Sequence, residues 1–109
     1  MTTAPEVISR YLTAAAARDL DVVADCFADD AFVVDEDHLY RGIDEIQEWR
    51  RRTAAAFNCT ATVSKVDDRG EGRYRMTAHV VGDFPGGEVD LDYNFRLVGD
   101  RIAALTITG

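Results

Sequence analysis

Tyr11 and Asp35 are the two residues of this chain whose types and positions point to chemistry in a shared apolar pocket. Tyr11 lies in an apolar helical stripe, and Asp35 ends the short apolar run formed by residues 31–35. A carboxylic acid that is removed from water favours its neutral form, so its carboxylate becomes a better base. A phenol beside such a base can donate a hydrogen bond to a substrate carbonyl as negative charge develops there. The pair is therefore a candidate for removing a proton next to a carbonyl group.

Both residues also have structural interpretations that need no substrate. Asp35 is the first residue of the acidic run 35–37, and runs of charge usually face water. Tyr11 has the pattern of a packed core aromatic whose hydroxyl finds one hydrogen-bond partner. The residue pattern by itself favours the solvated interpretation of Asp35, so support for the site has to come from the rest of the chain.

The first two predicted helices include the position of the candidate phenol. Residues 3–6, Thr-Ala-Pro-Glu, have the pattern of a capping box with Thr3 as the N-cap. The residues that share one face of the following helix are Val7, Ile8, Tyr11, Leu12 and Ala15. After a very short joint, Asp19 can cap a second helix that carries Phe27 at helical spacing and that residues 28–30 end.

The next predicted elements position the candidate base and a tryptophan. Residues 31–35 are β-prone, the polar residues 36–41 form a short strand or a loop, and Gly42 permits backbone angles that other residues avoid. A third helix is predicted from about residue 43 to residue 57, with acidic residues first and arginines later, the order that the helix dipole favours. Its inward face consists of Ile46, Trp49, Thr53 and either Ala56 or Phe57.

After the third helix the pattern changes to a period of two residues. Four strands are predicted at residues 60–66, 73–81, 88–98 and 101–108, joined by turns rich in Gly and Asp, which is typical of an antiparallel meander. One face of the two central strands is apolar and includes Met76, Tyr93 and Phe95. On the opposite face His79 lies across from acidic residues, so we expect a surface ion pair or a dimer contact there.

The element order predicts an α+β fold in which three N-terminal helices cover one face of a curved, mainly antiparallel sheet. At 109 residues the chain is long enough for one sizeable core, and we expect a single domain at residues 1–109. A cavity can open between the helices and the sheet. A chain of this length has room for only one such cavity.

Composition restricts the class of partner. The formal net charge is −8, from 12 Lys and Arg against 20 Asp and Glu, which opposes binding to nucleic acid or to an anionic membrane surface. A neutral or cationic small molecule, or another protein, fits this charge better. The N-terminus resembles no signal sequence and no run approaches the roughly 18 apolar residues of a membrane helix, so we expect a cytoplasmic protein. Cys26 and Cys59 have no metal-ligand spacing and are expected to be reduced core thiols.

These residues together resemble the nuclear transport factor two and ketosteroid isomerase superfamily, in particular its SnoaL-like bacterial members. The similarity is carried by Arg10-Tyr11, Asp19-Leu20-Asp21, Phe27-Ala28-Asp29-Asp30-Ala31, Asp35, Gly42 with Ile46, and Phe95-Arg96-Leu97. It covers essentially the whole chain, and its N-terminal half is the more specific part. The resemblance implies a cone-shaped α+β roll with a pocket between the helices and the concave sheet face, and commonly a dimer through the sheet.

The resemblance also implies roles for individual residues. Ketosteroid isomerases have a hydrogen-bond-donating tyrosine at the position of Tyr11 and an aspartate base at the position of Asp35. Their second, protonated acid corresponds to Tyr93, with Asp92 beside it but directed to the opposite face. This departure argues against steroid isomerase activity and makes Tyr93 a candidate second donor. The residues expected to line the ligand site are Phe27, Trp49, Met76 and Phe95.

The leading hypothesis is a small-molecule-binding protein that transfers a proton on an apolar carbonyl compound without a cofactor, as an isomerase or a polyketide cyclase does. One alternative is a non-catalytic ligand-binding or dimerisation module, which the missing second acid favours. Another is a hydrolase or dehydratase that activates water, which needs more polar groups around Asp35.

Two further clusters are interpreted without a site. His38 with Asp35 and Asp37 is too sparse a set to predict a metal ion. The run Arg50-Arg51-Arg52 is interpreted as a solvated helix side paired with nearby acids, because successive helical residues point about 100° apart.

Overall fold

The computed structural model describes residues 5–56 and 59–108. Its elements in chain order are α1 (Glu6–Ala17), α2 (Leu20–Cys26), β1 (Phe27–Asp35), β2 (His38–Arg41), α3 (Ile43–Ala56), β3 (Cys59–Gly70), β4 (Arg73–Gly82), β5 (Glu88–Val98) and β6 (Arg101–Thr108). The predicted α+β class is confirmed, with three helices packed on a curved, mostly antiparallel sheet of six strands.

The strands of this sheet follow the order β2-β1-β6-β5-β4-β3. All neighbouring pairs are antiparallel except β1 and β6, which run parallel. The strands β3 to β6 form the predicted meander, and β1 pairs with its last strand. The C-terminal strand therefore lies inside the sheet, directly beside the strand that ends at Asp35.

Alternation along the strands divides the sheet into two faces, as predicted. We call the helix-covered side the inner face, which includes Met76, Tyr93 and Phe95, and the other side the outer face, which includes His79 and Asp92. The apolar core lies between the helices and the inner face. Its largest fully buried side chains include Ile8 and Tyr11 of α1, Ile46 of α3, and Ile102 and Leu105 of β6.

The joint between α1 and α2 is as short as the sequence predicts. Asp19 accepts a hydrogen bond from the Val22 N–H at 3.3 Å and so caps α2. The start of α1 differs from the predicted capping box, because the helix begins at Glu6 directly after Pro5 and has no side-chain cap there. The proposed cap Thr3 lies outside the described residues.

The end of α2 corrects the sequence-based prediction. Helical spacing predicts Phe27 on α2 and residues 28–30 as its end, but α2 ends at Cys26 and Phe27 begins β1. Phe27 pairs with Ile102 in the parallel ladder with β6. Because this ladder joins segments that are distant in sequence, packing rather than local propensity determines the boundary. The strand β3 is also longer than predicted, since it continues to Gly70.

A tight hairpin follows directly on the candidate base. Asp35 pairs with His38, and the turn residues Glu36 and Asp37 have positive φ angles of 51° and 62°. Two consecutive positive φ angles are typical of a type I′ turn, whose twist matches that of the paired strands. The polar stretch 36–41 is thus a turn and a short strand, and Gly42, with a φ of 84°, precedes α3 as expected.

Candidate functional site

Two aromatic rings hold Tyr11 in the core. The Tyr11 ring makes edge contacts with Phe27 at a centroid distance of 5.5 Å and with Phe95 at 6.2 Å. Burial raises the pKa of the Tyr11 hydroxyl well above its usual value; the positive charge of Arg50 opposes this effect, and Tyr93 and Asp35 add to it. The hydroxyl therefore stays protonated at neutral pH and keeps its capacity to donate a hydrogen bond.

Asp35 is the last residue of β1 and lies at the inner face. Its neighbour in the parallel ladder is Ile107, and Val33, two residues before it on the same face, is fully buried. Asp35 itself is half-buried. The carboxylate thus follows a fully buried residue on the inner face and is itself partly accessible to solvent.

Trp49 of α3 fixes the direction of this carboxylate. The Trp49 Nε1–H donates a hydrogen bond to Asp35 Oδ2 at 2.9 Å. Trp49 is 3% exposed, and Ile46, one turn earlier on the same helix, is fully buried, so the indole is held by packing. Among the described residues no donor is bound to Asp35 Oδ1. One carboxylate oxygen is therefore oriented by the protein, and the other can face a substrate.

Tyr93 lies in the same row of the sheet as Asp35. The row crosses four adjacent strands through Asp35, Ile107, Tyr93 and Met76, each of which is paired with the next. Because neighbouring strands are about 4.8 Å apart, the backbones of Asp35 and Tyr93 are roughly 10 Å apart. Tyr93 is half-buried and its ring stacks on Phe95 at 6.3 Å. A small molecule on the inner face can span this separation.

The structure brings the predicted site residues to one side of the sheet in two adjoining groups. One group consists of the aromatic rings Tyr11, Phe27, Phe95 and Tyr93, joined by ring contacts. The other is the pair of Asp35 and Trp49, and Met76 lies beside Tyr93 in the ladder. The four expected ligand contacts, Phe27, Trp49, Met76 and Phe95, are all buried, whereas Asp35 and Tyr93 are half-buried. Their contact with a ligand stays a prediction.

Sequence reasoning did not place Tyr40, His38 or Arg50 at the edge of this site. Tyr40 of β2 lies against Trp49 at a centroid distance of 6.0 Å, and His38 stacks on Tyr40 at 6.0 Å. The Arg50 guanidinium lies over the Trp49 ring, 5.2 Å from its centroid. Alternation within residues 38–41 could have placed His38 and Tyr40 on one face. The environment of Arg50 has no local signal, because it depends on the direction in which α3 packs.

The remaining predicted side chains have simpler surroundings. Cys26 is a buried free thiol, as expected, and the side chain of Cys59 is outside what the structure describes. Within residues 5–56 and 59–108, no three His, Cys, Asp or Glu side chains are grouped as metal ligands would be. No helix in these ranges has the length and apolar character needed to cross a membrane. A shallow groove of about 410 Å³ runs along the exposed sides of α1 and α2, and none of the predicted site residues lines it.

Comparison with known structures decides the family. A candidate polyketide cyclase from Sinorhizobium meliloti is 31% identical, with a TM-score of 0.92 over 96% of this chain and 95% of that chain. The chain belongs to the nuclear transport factor two-like superfamily, among its SnoaL-like members. The resemblance inferred from the sequence is thereby confirmed. No family model and no curated protein sequence matches the chain.

Other solved structures share this fold at lower identity. A protein of ketosteroid isomerase-like fold from Catenulispora acidiphila, in complex with trimethylamine, is 23% identical with a TM-score of 0.87 and covers 98% of this chain and 87% of that one. A Mycobacterium tuberculosis protein in complex with estradiol-17beta-hemisuccinate is 14% identical with a TM-score of 0.80 and covers 94% and 90%. The same fold thus holds a small molecule in each of these two neighbours.

Proposed function

We propose that this SnoaL-like chain binds an apolar carbonyl compound against the inner face and transfers a proton on it without a cofactor. The observation that carries the proposal is the 2.9 Å hydrogen bond from the Trp49 indole to Asp35. It orients a half-buried carboxylate whose negative charge adds to the rise in the pKa of the buried Tyr11 phenol. The reaction needs a positioned base and a neutral donor, and these are the two groups present. The 31% identical candidate polyketide cyclase supports this reaction class.

Asp35 is the base in this reaction. The bond between hydrogen and the carbon next to the carbonyl breaks, and the proton binds to the Asp35 carboxylate. The electron pair of that bond forms a carbon–carbon double bond, and the carbonyl oxygen becomes an enolate oxygen. The neutral Tyr11 hydroxyl donates a hydrogen bond to this oxygen, where the negative charge develops. Two outcomes are then available. If the proton returns to another carbon, the product is an isomer. If the enolate carbon attacks a second carbonyl, a ring closes and the proton goes to the new alkoxide.

Tyr93 is proposed as a second donor to the same oxygen. It occupies the position where ketosteroid isomerases have a protonated acid. A phenol and a protonated carboxyl group both present an O–H, so the donor role can persist although the acid is absent. The stacking of Tyr93 on Phe95 gives its ring a defined orientation at the inner face.

A non-catalytic ligand-binding module is the second candidate. The tyrosine in place of the second acid favours it, because a weaker set of donors gives less enolate stabilisation. The mycobacterial neighbour binds a steroid derivative, and a computationally designed binder of 17-OHP shares the fold with a TM-score of 0.79. A hydrolase or dehydratase is less favoured, since the described hydrogen-bond partner of Asp35 is an indole rather than a set of groups that would hold water.

The test uses Trp49, the single tryptophan of the chain, as a reporter of ligand binding. Cyclic ketones and aromatic polyketide-like compounds are screened by its fluorescence, and those that bind are assayed in deuterated water for exchange of the hydrogens next to the carbonyl. We expect Asp35→Asn to slow exchange by about 10²–10⁴-fold, the usual contribution of a general base. The matched control is Asp37→Asn, at an exposed turn position with a φ of 62° that asparagine tolerates. Equal exchange by wild type and Asp35→Asn removes Asp35 as the base.

A homodimer through the outer face is part of the proposal. The apolar side chains exposed on that face include Phe32 at 37% and Val81 at 48%, and burial of such side chains favours association. Sedimentation of the wild type and of Phe32→Glu measures this: a dimer that dissociates in the variant supports the proposal, and a monomeric wild type contradicts it. The cytoplasmic location stays a prediction from the sequence.

A further inference from the structure

Three consecutive arginines of α3 have different environments. Arg51 forms an ion pair with Glu48, and Arg52 lies 3.8 Å from the same carboxylate. Both arginines are exposed, as the sequence predicts for a solvated helix side. Arg50 is half-buried, and among the described residues it has no carboxylate within ion-pair distance. Its guanidinium lies over the Trp49 ring, 5.2 Å from the ring centroid.

This contact leaves the hydrogen-bonding capacity of Arg50 unused. A guanidinium is planar and carries five N–H donors in its plane, none of which is engaged when an aromatic ring covers its face. A contact through the ring face therefore leaves these donors available to a ligand or to water. The two parallel N–H groups at one edge have the geometry that a carboxylate accepts in a bidentate manner.

Arg50 is also placed toward the candidate site rather than away from it. Its guanidinium lies over the Trp49 ring, and its positive charge opposes the effect of burial on the pKa of Tyr11. The same indole ring that carries Arg50 on its face donates its N–H to Asp35. Trp49 thus contacts the Asp35 carboxylate through its ring N–H and the Arg50 guanidinium through its ring face. The Asp35 carboxylate and the Arg50 guanidinium do not form an ion pair with each other within 4.0 Å.

We propose that Arg50 binds a carboxylate group of the ligand, so that the substrate class is an apolar carbonyl compound that also bears a carboxylate. This inference rests on the proposed function, because it assigns the ligand of the same site. The substrate carboxylate pairs with the Arg50 guanidinium, and the carbonyl to be enolised extends toward Tyr11 with its neighbouring C–H at Asp35. The net charge of −8 repels anions at long range, so the local pair with Arg50 has to supply the recognition.

Matched ligand pairs test the proposal. The pairs are 4-oxocyclohexanecarboxylate with its carboxamide, and estradiol-17beta-hemisuccinate, which the mycobacterial neighbour binds, with its methyl ester. Affinities are measured by calorimetry and by the fluorescence of Trp49. We expect the wild type to bind the carboxylate about tenfold more tightly than its neutral partner, as one charge-assisted bidentate contact allows. We expect Arg50→Gln to bring this ratio to about one. Arg50→Lys should retain part of the preference, because it keeps the positive charge but loses the two parallel N–H donors of the guanidinium.

The control variant is Arg51→Gln, which removes a guanidinium from the adjacent exposed position and retains the wild-type ratio. Unchanged circular dichroism and melting temperature establish that Arg50→Gln is folded. Any of three results overturns the proposal. The wild type binds both members of each pair equally, the preference for the carboxylate survives Arg50→Gln, or neither member binds. The two proposals can fail separately. If hydrogen exchange of neutral ketones depends on Asp35 but the protein shows no preference for carboxylates, the proposed function is retained and only the role of Arg50 is rejected.

Discussion

The polar groups on the two faces of the central strands differ in how completely they are paired with other side chains. On the outer face, Asp92 accepts hydrogen bonds from Arg75 at 2.7 Å and from Thr77 at 2.9 Å, and the Arg75 contact lowers the pKa of Asp92. His79 lies 2.7 Å from Asp90 on the same face, as the sequence predicts. On the inner face the neighbouring residues are apolar or aromatic. Asp92 and His79 therefore each have a partner on a neighbouring strand.

The polar groups at the edge of the inner face are less completely paired. Asp35 has one oxygen on the Trp49 indole, and the Arg50 guanidinium has an aromatic ring beneath it. A group whose hydrogen-bonding capacity is already used by a protein partner has little to offer a ligand. The incompletely paired groups at the helix-covered side are therefore the ones to test for binding, whereas outer-face groups such as Asp92 and His79 are already paired.

The largest difference between the two faces is expected in the unfolding free energy when adjacent residues of β5 that point to opposite faces are truncated. Phe95→Ala removes a ring that is 2% exposed and is expected to lower the free energy of unfolding by about 3–5 kcal/mol, because it leaves a cavity. Asn94→Ala, on the exposed outer face, is expected to change it by no more than about 0.5 kcal/mol. Urea denaturation measures both. Similar losses for the two variants would contradict the assignment of faces.

A smaller effect is expected from the bond between Trp49 and Asp35. Trp49→Phe keeps an aromatic ring but removes the donor, and we expect a loss of about 1–2 kcal/mol of unfolding free energy, since the carboxylate is only half-buried. A double-mutant cycle with Asp35→Ala isolates the pair and is expected to give a coupling of about 1 kcal/mol. Additive losses would mean that the two side chains do not interact in solution. Trp49→Phe is also expected to slow Asp35-dependent exchange without abolishing it.

The smallest effect is a dependence on pH that belongs to the outer face. The hydrogen bond with Asp90, together with the nearby Glu88, raises the pKa of His79 above its usual value. The folded-state pKa is then higher than the unfolded value of about 6.5, so this stabilisation is complete below the unfolded value and is lost as the pH rises through the folded value. We expect the wild-type melting temperature to fall more than that of His79→Gln between about pH 6 and pH 9.

Asp90→Asn serves as the matched variant for that measurement. It retains the imidazole but replaces the charged acceptor that contributes most to the shift with a neutral one, and it should reduce the pH-dependent difference in melting temperature as His79→Gln does. An Asp90→Asn protein with the full wild-type dependence on pH would mean that the contact with His79 is absent in solution.

Much of the fold could be predicted from local sequence. The period of two residues predicted the four strands of the meander and their two faces, and the spacing of apolar residues predicted α1 and α3. Asp19 was correctly identified as a helix cap. These features were predictable because each depends on residues within a few positions of one another.

The boundary at Phe27 could not be predicted in this way. Its helical spacing from the preceding apolar residues is genuine, but the backbone there pairs with β6 instead. A parallel ladder between β1 and the last strand satisfies backbone groups and buries Phe27, and the sequence contains no local signal of that partner. The same limit applies to the direction of the Arg50 side chain on α3.

The sequence by itself determined the class of fold, the likeness to SnoaL-like proteins, and the nomination of Tyr11 and Asp35. Only the tertiary structure decided that Trp49 donates to Asp35 and that Arg50, unlike Arg51 and Arg52, covers the indole. The physical reason is that periodicity and capping act between near neighbours in the chain, whereas a site is formed by contacts between separate elements. Helix α3 brings the indole to the end of β1, and that packing converts a nominated carboxylate into an oriented one.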